Sequence, residues 1–334
     1  PIIYDIAIKQ NIRPERPMAV ASVSAQMGIC ASPVSVAVVS MVSMLGAAHG
    51  IGKPIGIIEL LSVAIPASFL GVLAAAAWSL RRGKDLDKDE EFQAKINDPK
   101  QKSYVYGESQ TLLNQKFPKE AYWATWIFFA AIAIVVAFGA FPELRPSFGV
   151  PGKMKPLSMN LVIQMLMLIA GAIILITCKV DSRDVSNGTV FKAGAVAIIS
   201  VFGVAWMADT FFGAHFTLLK AALAGVVVSH PWTYAIVLFL TSKLVNSQAA
   251  ALAAIAPLGI SLGVDPKMMI AFFPAAYGYF VLPTYPSDLA CIGFDRSGTT
   301  RIGKYIVNHS FLMPGFIGVG TGCIVGYLLV TLFM

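Results

Sequence analysis

Long apolar stretches separated by short polar links run through most of this 334-residue chain. The stretches 124–141 (ATWIFFAAIAIVVAFGAF) and 157–176 are two examples. Each has about the 20 residues that a helix needs to cross a hydrocarbon core of about 30 Å. The pattern predicts an all-α polytopic membrane protein with spanning segments near 17–45, 55–80, 121–141, 157–177, 190–212, 267–293 and 304–334.

A polar interruption divides the apolar region 231–262 into two short arms, 231–245 and 249–262, which meet at Asn246-Ser247-Gln248. An arm of about 15 residues reaches only ~22 Å as a helix, which is less than the membrane core. The region is therefore either one long bent helix or a re-entrant hairpin. Only the hairpin keeps the basic cluster 296–304 on the same side as the basic loops 9–16 and 81–119. The positive-inside rule therefore predicts a hairpin.

Two regions share one order of motifs. The first begins at Pro1 with PIIYDIAI and continues through a polar link to a helix interrupted at Ser32-Pro33. The second begins with PLGISLGV at 257–264 and leads to a helix interrupted over 283–286. The two links are predicted to lie on opposite sides of the membrane, which indicates the inverted repeat of many secondary transporters. Because the chain opens inside an apolar segment, we expect it to be N-terminally truncated.

These patterns divide the chain into four parts. Residues 1–80 end the first repeat, 81–119 form a charged cytoplasmic loop, and 120–230 hold transmembrane helices of the second half. Residues 231–334 contain the re-entrant hairpin, the second broken helix and the C-terminal helix. The charged loop is interpreted as solvated, with room for a short surface helix at 87–96.

Composition supports a membrane protein and excludes several other classes. The chain is 57% hydrophobic and 13% charged, against about 25% charged in soluble domains. Its net charge of +7 is assigned to cytoplasmic loops rather than to nucleic-acid binding. The four cysteines have no metal or disulfide spacing. No cofactor is implied, and no catalytic constellation of an embedded enzyme is visible.

Candidate chemistry lies where helices break inside the membrane, because such breaks supply free N–H groups and positive dipole ends that suit carboxylates. We expect the hairpin tip and the two interruptions to converge on a small anion. Lys243 would supply charge, although it could also be a snorkelling lysine. Asp288 is either its partner or part of a packing salt bridge. The predicted binding residues are Lys243, Asn246, Ser247, Gln248, Thr284, Ser287, Asp288, Gln26, Ser32 and Ser35.

The segment FDRSGTTRIGK at 294–304 lacks the GxxxxGK[ST] spacing of a phosphate-binding loop, and no strand is predicted before it. It is interpreted as a helix cap formed by Thr299 or Thr300 with basic anchors beside it.

Six long motifs of this chain are specific enough to indicate a family: NIRPERPMA, SAQMGICASPVSVAVVS, GKDLDKDEEF, VNSQAAALAAI, LPTYPSDLA and FDRSGTTRIGK. They resemble the anaerobic C4-dicarboxylate transporters of the Dcu family, and the resemblance covers essentially the whole chain. The long charged loop and YPSDLA resemble the DcuB branch rather than the DcuA branch.

The resemblance implies a multi-pass antiporter of the bacterial inner membrane. It would exchange external fumarate, malate or aspartate for internal succinate in anaerobic fumarate respiration. It also implies a possible co-sensor role with a membrane sensor histidine kinase, in which Lys243, Thr284 and Asp288 would take part. A cation-coupled dicarboxylate symporter and a regulatory membrane protein without transport remain open alternatives.

Overall fold

The computed structural model describes residues 2–33, 35–47, 55–107, 116–148, 155–157, 159–188 and 232–334, with the isolated positions 191, 195, 210, 214, 215, 218 and 230. The predicted spanning helix 190–212 lies outside the described residues, apart from a few isolated positions. The described elements are helical except for a two-residue antiparallel pair, β1 (Ser147–Phe148) with β2 (Lys155–Pro156). This confirms the all-α class.

The first part of the chain contains six helices, three of which cover the predicted segments 17–45 and 55–80. They are α1 (Ile2–Lys9), α2 (Glu15–Cys30), α3 (Val36–Ala47), α4 (Ile57–Ser79), α5 (Glu90–Ile96) and α6 (Pro99–Tyr106). The predicted interruption at Ser32-Pro33 is confirmed, because α2 ends at Cys30 and α3 begins at Val36. Proline disfavours helical backbone in the residue before it and has no N–H to donate.

The helices of the second part begin with α7 and include the predicted hairpin. They are α7 (Lys119–Ala140), α8 (Met159–Thr177), α9 (Ser182–Asn187), α10 (Thr233–Val245), α11 (Gln248–Ser261), α12 (Pro266–Ala271), α13 (Pro286–Phe294) and α14 (Leu312–Phe333). The arms α10 and α11 pack against each other on either side of the tip. Among the described helices, α4, α7 and α14 are long and apolar enough to cross a bilayer.

Two predicted spans are shorter than expected. The predicted segment 267–293 is helical only at its two ends, and 3-10 turns at Phe273–Ala276 and Tyr279–Val281 occupy its middle. The predicted segment 304–334 becomes helical only at Leu312. The helix–link–helix–break–helix order of residues 2–47 does recur over 248–294, while the inversion of one repeat relative to the other stays a prediction.

Small residues let α14 pack closely against α4 and the α12 region. A Cβ atom on Gly71 of α4 would lie 2.4 Å from the Gly318 carbonyl oxygen of α14. A Cβ on Gly326 would lie 2.3 Å from the Ala271 carbonyl oxygen. Membrane helices have little hydrophobic drive to associate, so close packing of small residues stabilises such contacts.

Most residues of the described segment 85–106 are exposed, as in a solvated loop, but the segment also packs against α1. The short helix predicted at 87–96 is present as α5, but Leu86, Phe92 and Val105 are buried in a small core with Tyr4 and Ile8. The helices α5 and α6 are amphipathic, and their apolar faces are stabilised by packing against α1 rather than by exposure to water.

Ion pairs bring the three predicted cytoplasmic loops together on one face. Arg13 pairs with Asp89, and the Arg301 guanidinium lies 2.7 Å from Glu91. Arg13 and Asp89 are mostly buried, and buried charges are costly unless they are paired, so the segment 85–106 packs where its acidic residues meet the basic residues of the other two loops. The structure therefore groups the loops that the positive-inside rule assigned to one side.

The predicted cap at Thr299 or Thr300 is also wrong, because no helix begins there. Residues 295–311 form an irregular loop that is organised by the Asp295 carboxylate. This carboxylate accepts hydrogen bonds from the backbone N–H groups of Ser297 at 2.9 Å and Gly298 at 3.2 Å and from the Thr299 hydroxyl at 2.9 Å. An aspartate side chain satisfies a turn of backbone donors without a helix.

Candidate substrate-binding site

The hairpin tip is built by two residues with suited conformations. Asn246 ends α10 in the left-handed region, with φ of 54°, which asparagine tolerates better than most residues. Ser247 is the N-cap of α11, and its hydroxyl accepts a hydrogen bond from the Ala250 N–H at 3.3 Å. The chain therefore reverses within two residues and presents the side chain of Asn246 at the tip.

Lys243 lies one turn before the tip and reaches the second break. Its ammonium group donates to the carbonyl oxygens of Leu282 at 3.1 Å and Tyr279 at 3.2 Å and to the Thr284 hydroxyl at 3.2 Å. The Asn246 side-chain oxygen lies 3.4 Å away. All four acceptors are neutral, and within the described part of the chain Lys243 forms no salt bridge.

A second layer of hydrogen bonds joins the tip to α2. The Gln248 side-chain amide donates to the Gln26 carbonyl oxygen at 2.8 Å and to the Tyr279 hydroxyl at 3.3 Å. The Tyr279 hydroxyl donates in turn to the side-chain oxygen of Gln26, and the Cys30 thiol lies 3.3 Å from the Gln248 side-chain oxygen. Tyr279 therefore lies between the first and the second broken segments.

Asp288 lies in the first turn of α13 and is 1% exposed. Its Oδ1 atom accepts a hydrogen bond from the Ser22 hydroxyl at 2.5 Å, and Ser22 also lies 2.9 Å from the Ser287 hydroxyl. The Gln26 amide donates to Ser287 at 3.3 Å. The possible pairing of Asp288 with Lys243 is not a direct salt bridge, because Asp288 is oriented towards α2 instead.

The structure joins most of the predicted binding residues into one network and leaves three outside it. The joined residues are Lys243, Asn246, Gln248, Thr284, Ser287, Asp288 and Gln26. Ser247 caps α11, and the Ser35 hydroxyl caps α3 by accepting from the Val38 N–H at 3.1 Å. Ser32 lies in the break between α2 and α3, where its carbonyl oxygen accepts from the Ser35 N–H.

Two members of the network were absent from the sequence prediction. Ser22 lies four residues before Gln26, so helical spacing alone places both side chains on one face of α2 and could have revealed it. No sequence pattern indicates Tyr279, because it lies inside an apolar stretch whose hydropathy predicts a helix. In the structure a 3-10 turn begins at Tyr279, and its hydroxyl donates to Gln26 while its carbonyl oxygen accepts from Lys243.

Helix ends complete the site. The N-terminus of α13 has no side-chain cap, and the N-terminus of α11 lies directly after the tip. Helix N-termini carry partial positive charge and unpaired N–H donors. Together with the Lys243 ammonium, they make this junction suited to an anion with oxygen acceptors.

Comparison with known proteins identifies the family. A family model described as "Anaerobic c4-dicarboxylate membrane transporter" matches residues 1–334. The chain belongs to this family. Anaerobic C4-dicarboxylate transporter DcuB of Escherichia coli O6:H1 is 55% identical over 333 residues, which cover 100% of this chain and 74% of the relative.

More distant relatives belong to the DcuA branch. C4-dicarboxylate transporter DcuA of Wolinella succinogenes is 36% identical over 335 residues, covering 100% of this chain and 74% of the relative. The DcuA protein of Escherichia coli K12 is 35% identical over 330 residues, covering 98% and 73%. No solved structure matches the chain. The higher identity to DcuB confirms the predicted branch.

Family membership and the apolar helices agree on location and class. The family consists of membrane transporters rather than enzymes. With α4, α7 and α14 long and apolar enough to span, the chain is a multi-pass protein of the bacterial inner membrane.

Proposed function

We propose that this protein exchanges C4-dicarboxylates across the inner membrane, taking up fumarate, malate or aspartate and releasing succinate. The relatives are named as C4-dicarboxylate transporters. The observation that carries the proposal is the Lys243 ammonium group, which meets only neutral oxygens where the hairpin tip approaches the second break. A cation at membrane depth is costly and calls for a counter-charge, which a substrate carboxylate supplies.

In the proposed binding mode, Lys243 holds one carboxylate of the substrate, with Thr284 and Asn246 beside it. The second carboxylate meets the N-terminal end of α11, where the hydroxyl of Ser247 lies. Charge-assisted hydrogen bonds of this kind are about twice as strong as neutral ones. Two separated anion-binding points favour a dicarboxylate over a monocarboxylate.

Asp288 has a positioning role in this proposal rather than a direct contact with the anion. An ionised carboxylate would repel a dicarboxylate at close range. Its hydrogen bond from Ser22 fixes α2 against the start of α13. Gln26 and Gln248 act in the same way, because they connect α2 to the hairpin tip.

Exchange follows from the cost of an empty site. Without substrate, the Lys243 ammonium group is hydrogen-bonded to neutral oxygens only, and a cation at membrane depth without a counter-charge is costly. The unloaded carrier therefore crosses slowly between its two states, and a counter-substrate is needed for the return step.

Counterflow tests the proposal. Proteoliposomes that contain the reconstituted protein are loaded with unlabelled succinate, and labelled fumarate is added outside. Uptake that requires internal succinate is expected. Uptake that proceeds without internal substrate but requires Na⁺ supports a cation-coupled symporter instead, and absence of uptake by well-folded protein supports a regulatory membrane protein.

A co-sensor role with a membrane sensor histidine kinase is a second proposal, supported by the family resemblance at Lys243, Thr284 and Asp288. A network that responds to bound dicarboxylate is suited to signalling as well as transport. Variants that keep exchange but lose dicarboxylate-dependent control of kinase output would support it. If every variant changes exchange and signalling in parallel, an independent sensory role is refuted.

A further inference from the structure

A polar cavity of 470 Å³ lies at the end of the molecule where α14 begins. Three separate segments form its walls: the residues around the start of α2, those just after α4, and the loop 301–310. Lys267 contacts the carbonyl of Met334 at the opposite end of α14, about 33 Å away along a 22-residue helix. The cavity therefore opens on the face that carries the predicted cytoplasmic loops.

The charges in the cavity wall are mostly positive. Arg13, Arg82, Arg301 and Lys304 line it, and Glu15 is the acidic residue in the lining. Glu15 is already satisfied, because the Arg13 and Arg82 guanidinium groups both lie 2.9 Å from its carboxylate. The other acidic partners, Asp89 and Glu91, hold Arg13 and Arg301 without lining the cavity.

The two cations of the loop 301–310 are the accessible ones. The Arg301 side chain is 51% exposed. Lys304 is exposed and stacks on Tyr305, and in the described part of the chain it has no ion pair. His309 adds no charge near neutral pH, because burial lowers its pKa below the ordinary value. The positive potential of the cavity therefore comes from arginine and lysine and persists at neutral pH.

One chain segment connects the cavity to the candidate substrate site. The His309 ring in the cavity wall lies 3.1 Å from the carbonyl oxygen of Val281. The next residue, Leu282, holds the Lys243 ammonium through its own carbonyl oxygen at 3.1 Å. The wall of the cavity is thus one residue along the chain from the Lys243 site.

We propose that this cavity is a second dicarboxylate-binding site, a vestibule in which the anion binds on the cytoplasmic side before or after it occupies the Lys243 site. The inference rests on the proposed function. A cleft lined by one sign of charge raises the local concentration of the opposite ion and its rate of association. The ligand class is a small dianion, and succinate is the probe.

Sidedness of transport provides the test. The double variant Arg301→Gln/Lys304→Gln removes two exposed charges and leaves the buried Glu15 ion pairs intact. Exchange is measured in right-side-out and inside-out membrane vesicles over a range of succinate concentrations. The half-saturating concentration at the cytoplasmic face is expected to rise about tenfold, with the value at the outer face unchanged. The effect should shrink at high salt, because exposed charges are screened.

Lys84→Gln is the matched control, since Lys84 is an exposed cation of the same face that pairs with Glu90 and does not line the cavity. It should change neither value. An unchanged cytoplasmic half-saturating concentration in the double variant overturns the proposal, as does an equal change on both faces. Failure of the wild-type protein to exchange succinate would instead refute the proposed function itself.

Discussion

Replacing Lys243 by methionine tests the substrate site most directly. Methionine keeps an unbranched apolar side chain but removes the ammonium group. A hydrogen bond to a charged group contributes about 1.5–3 kcal/mol net, and each ~1.4 kcal/mol corresponds to a factor of ten. If Lys243 holds a substrate carboxylate, the half-saturating concentration for fumarate should rise by roughly 10- to 150-fold.

The assay is counterflow into succinate-loaded proteoliposomes at a series of external fumarate concentrations. Lys267→Met is the matched control, because Lys267 lies at the other end of α14, where it contacts the carbonyl of Met334. Thermal unfolding in detergent separates loss of folding from loss of binding. Lys243 also holds the carbonyl oxygens of Tyr279 and Leu282, so some destabilisation is expected. A destabilised variant with an unchanged half-saturating concentration would refute the binding role and leave a structural one.

Three further predictions follow from other contacts. Tyr279→Phe removes the hydroxyl that joins Gln26 and Gln248. The substrate-binding free energy should weaken by about 1 kcal/mol, which is measured as a roughly fivefold rise in the half-saturating fumarate concentration. Unchanged kinetics would exclude a positioning role for Tyr279. Gly326→Ala should lower the unfolding temperature by several degrees, because its Cβ would lie 2.3 Å from a backbone carbonyl oxygen. Gly320→Ala in the same helix meets no atom within 4 Å and should leave the unfolding temperature unchanged. Equal effects of the two variants would contradict the packing argument. Glu15→Gln leaves the mostly buried Arg82 guanidinium without its carboxylate partner, while Arg13 keeps Asp89, and should destabilise the protein by about 3 kcal/mol in chemical unfolding. Wild-type stability would show that this ion-pair cluster contributes little.

Local patterns account for the parts of the fold that the sequence predicted correctly. Asn246 and Ser247 separate two arms that are too short to cross the membrane, and their own backbone and capping preferences favour a reversal there. Ser32-Pro33 interrupts a helix because proline cannot support helical backbone before it. Each of these signals operates within a few residues, so one sequence suffices to read it.

The errors have a common physical cause, which is that hydropathy does not report backbone hydrogen bonding between distant segments. Residues 272–282 are apolar enough for their hydropathy to predict a helix. In the structure, 3-10 turns replace the helix there, and outside groups satisfy the freed backbone. The Ser242 hydroxyl accepts from the Gly278 N–H at 2.7 Å, and Lys243 donates to the Tyr279 and Leu282 carbonyls. Non-helical backbone at membrane depth is tolerated only where protein covers it in this way.

The packing of the charged segment 85–106 likewise depends on contacts with distant residues that its own sequence does not reveal. Its composition indicates solvent exposure, and its individual charges carry no information about their partners. Only the fold brings Asp89 to Arg13 and Glu91 to Arg301, across separations of 76 and 210 residues. These ion pairs hold α5 against α1, where Phe92 is buried beside Tyr4 and Ile8.

The amino-acid sequence by itself determined the membrane class, the hairpin, the two broken helices, the family and most of the candidate binding residues, because these depend on hydropathy, short-range backbone preferences and long specific motifs. The tertiary structure determined which of those residues meet. In the folded chain, the Lys243 ammonium contacts the Thr284 hydroxyl, and Asp288 accepts a hydrogen bond from Ser22 of α2. Tyr279 joins the same network through Gln26, and three separate segments form the basic cavity. These contacts join residues far apart in the chain, and the packing of whole helices sets them.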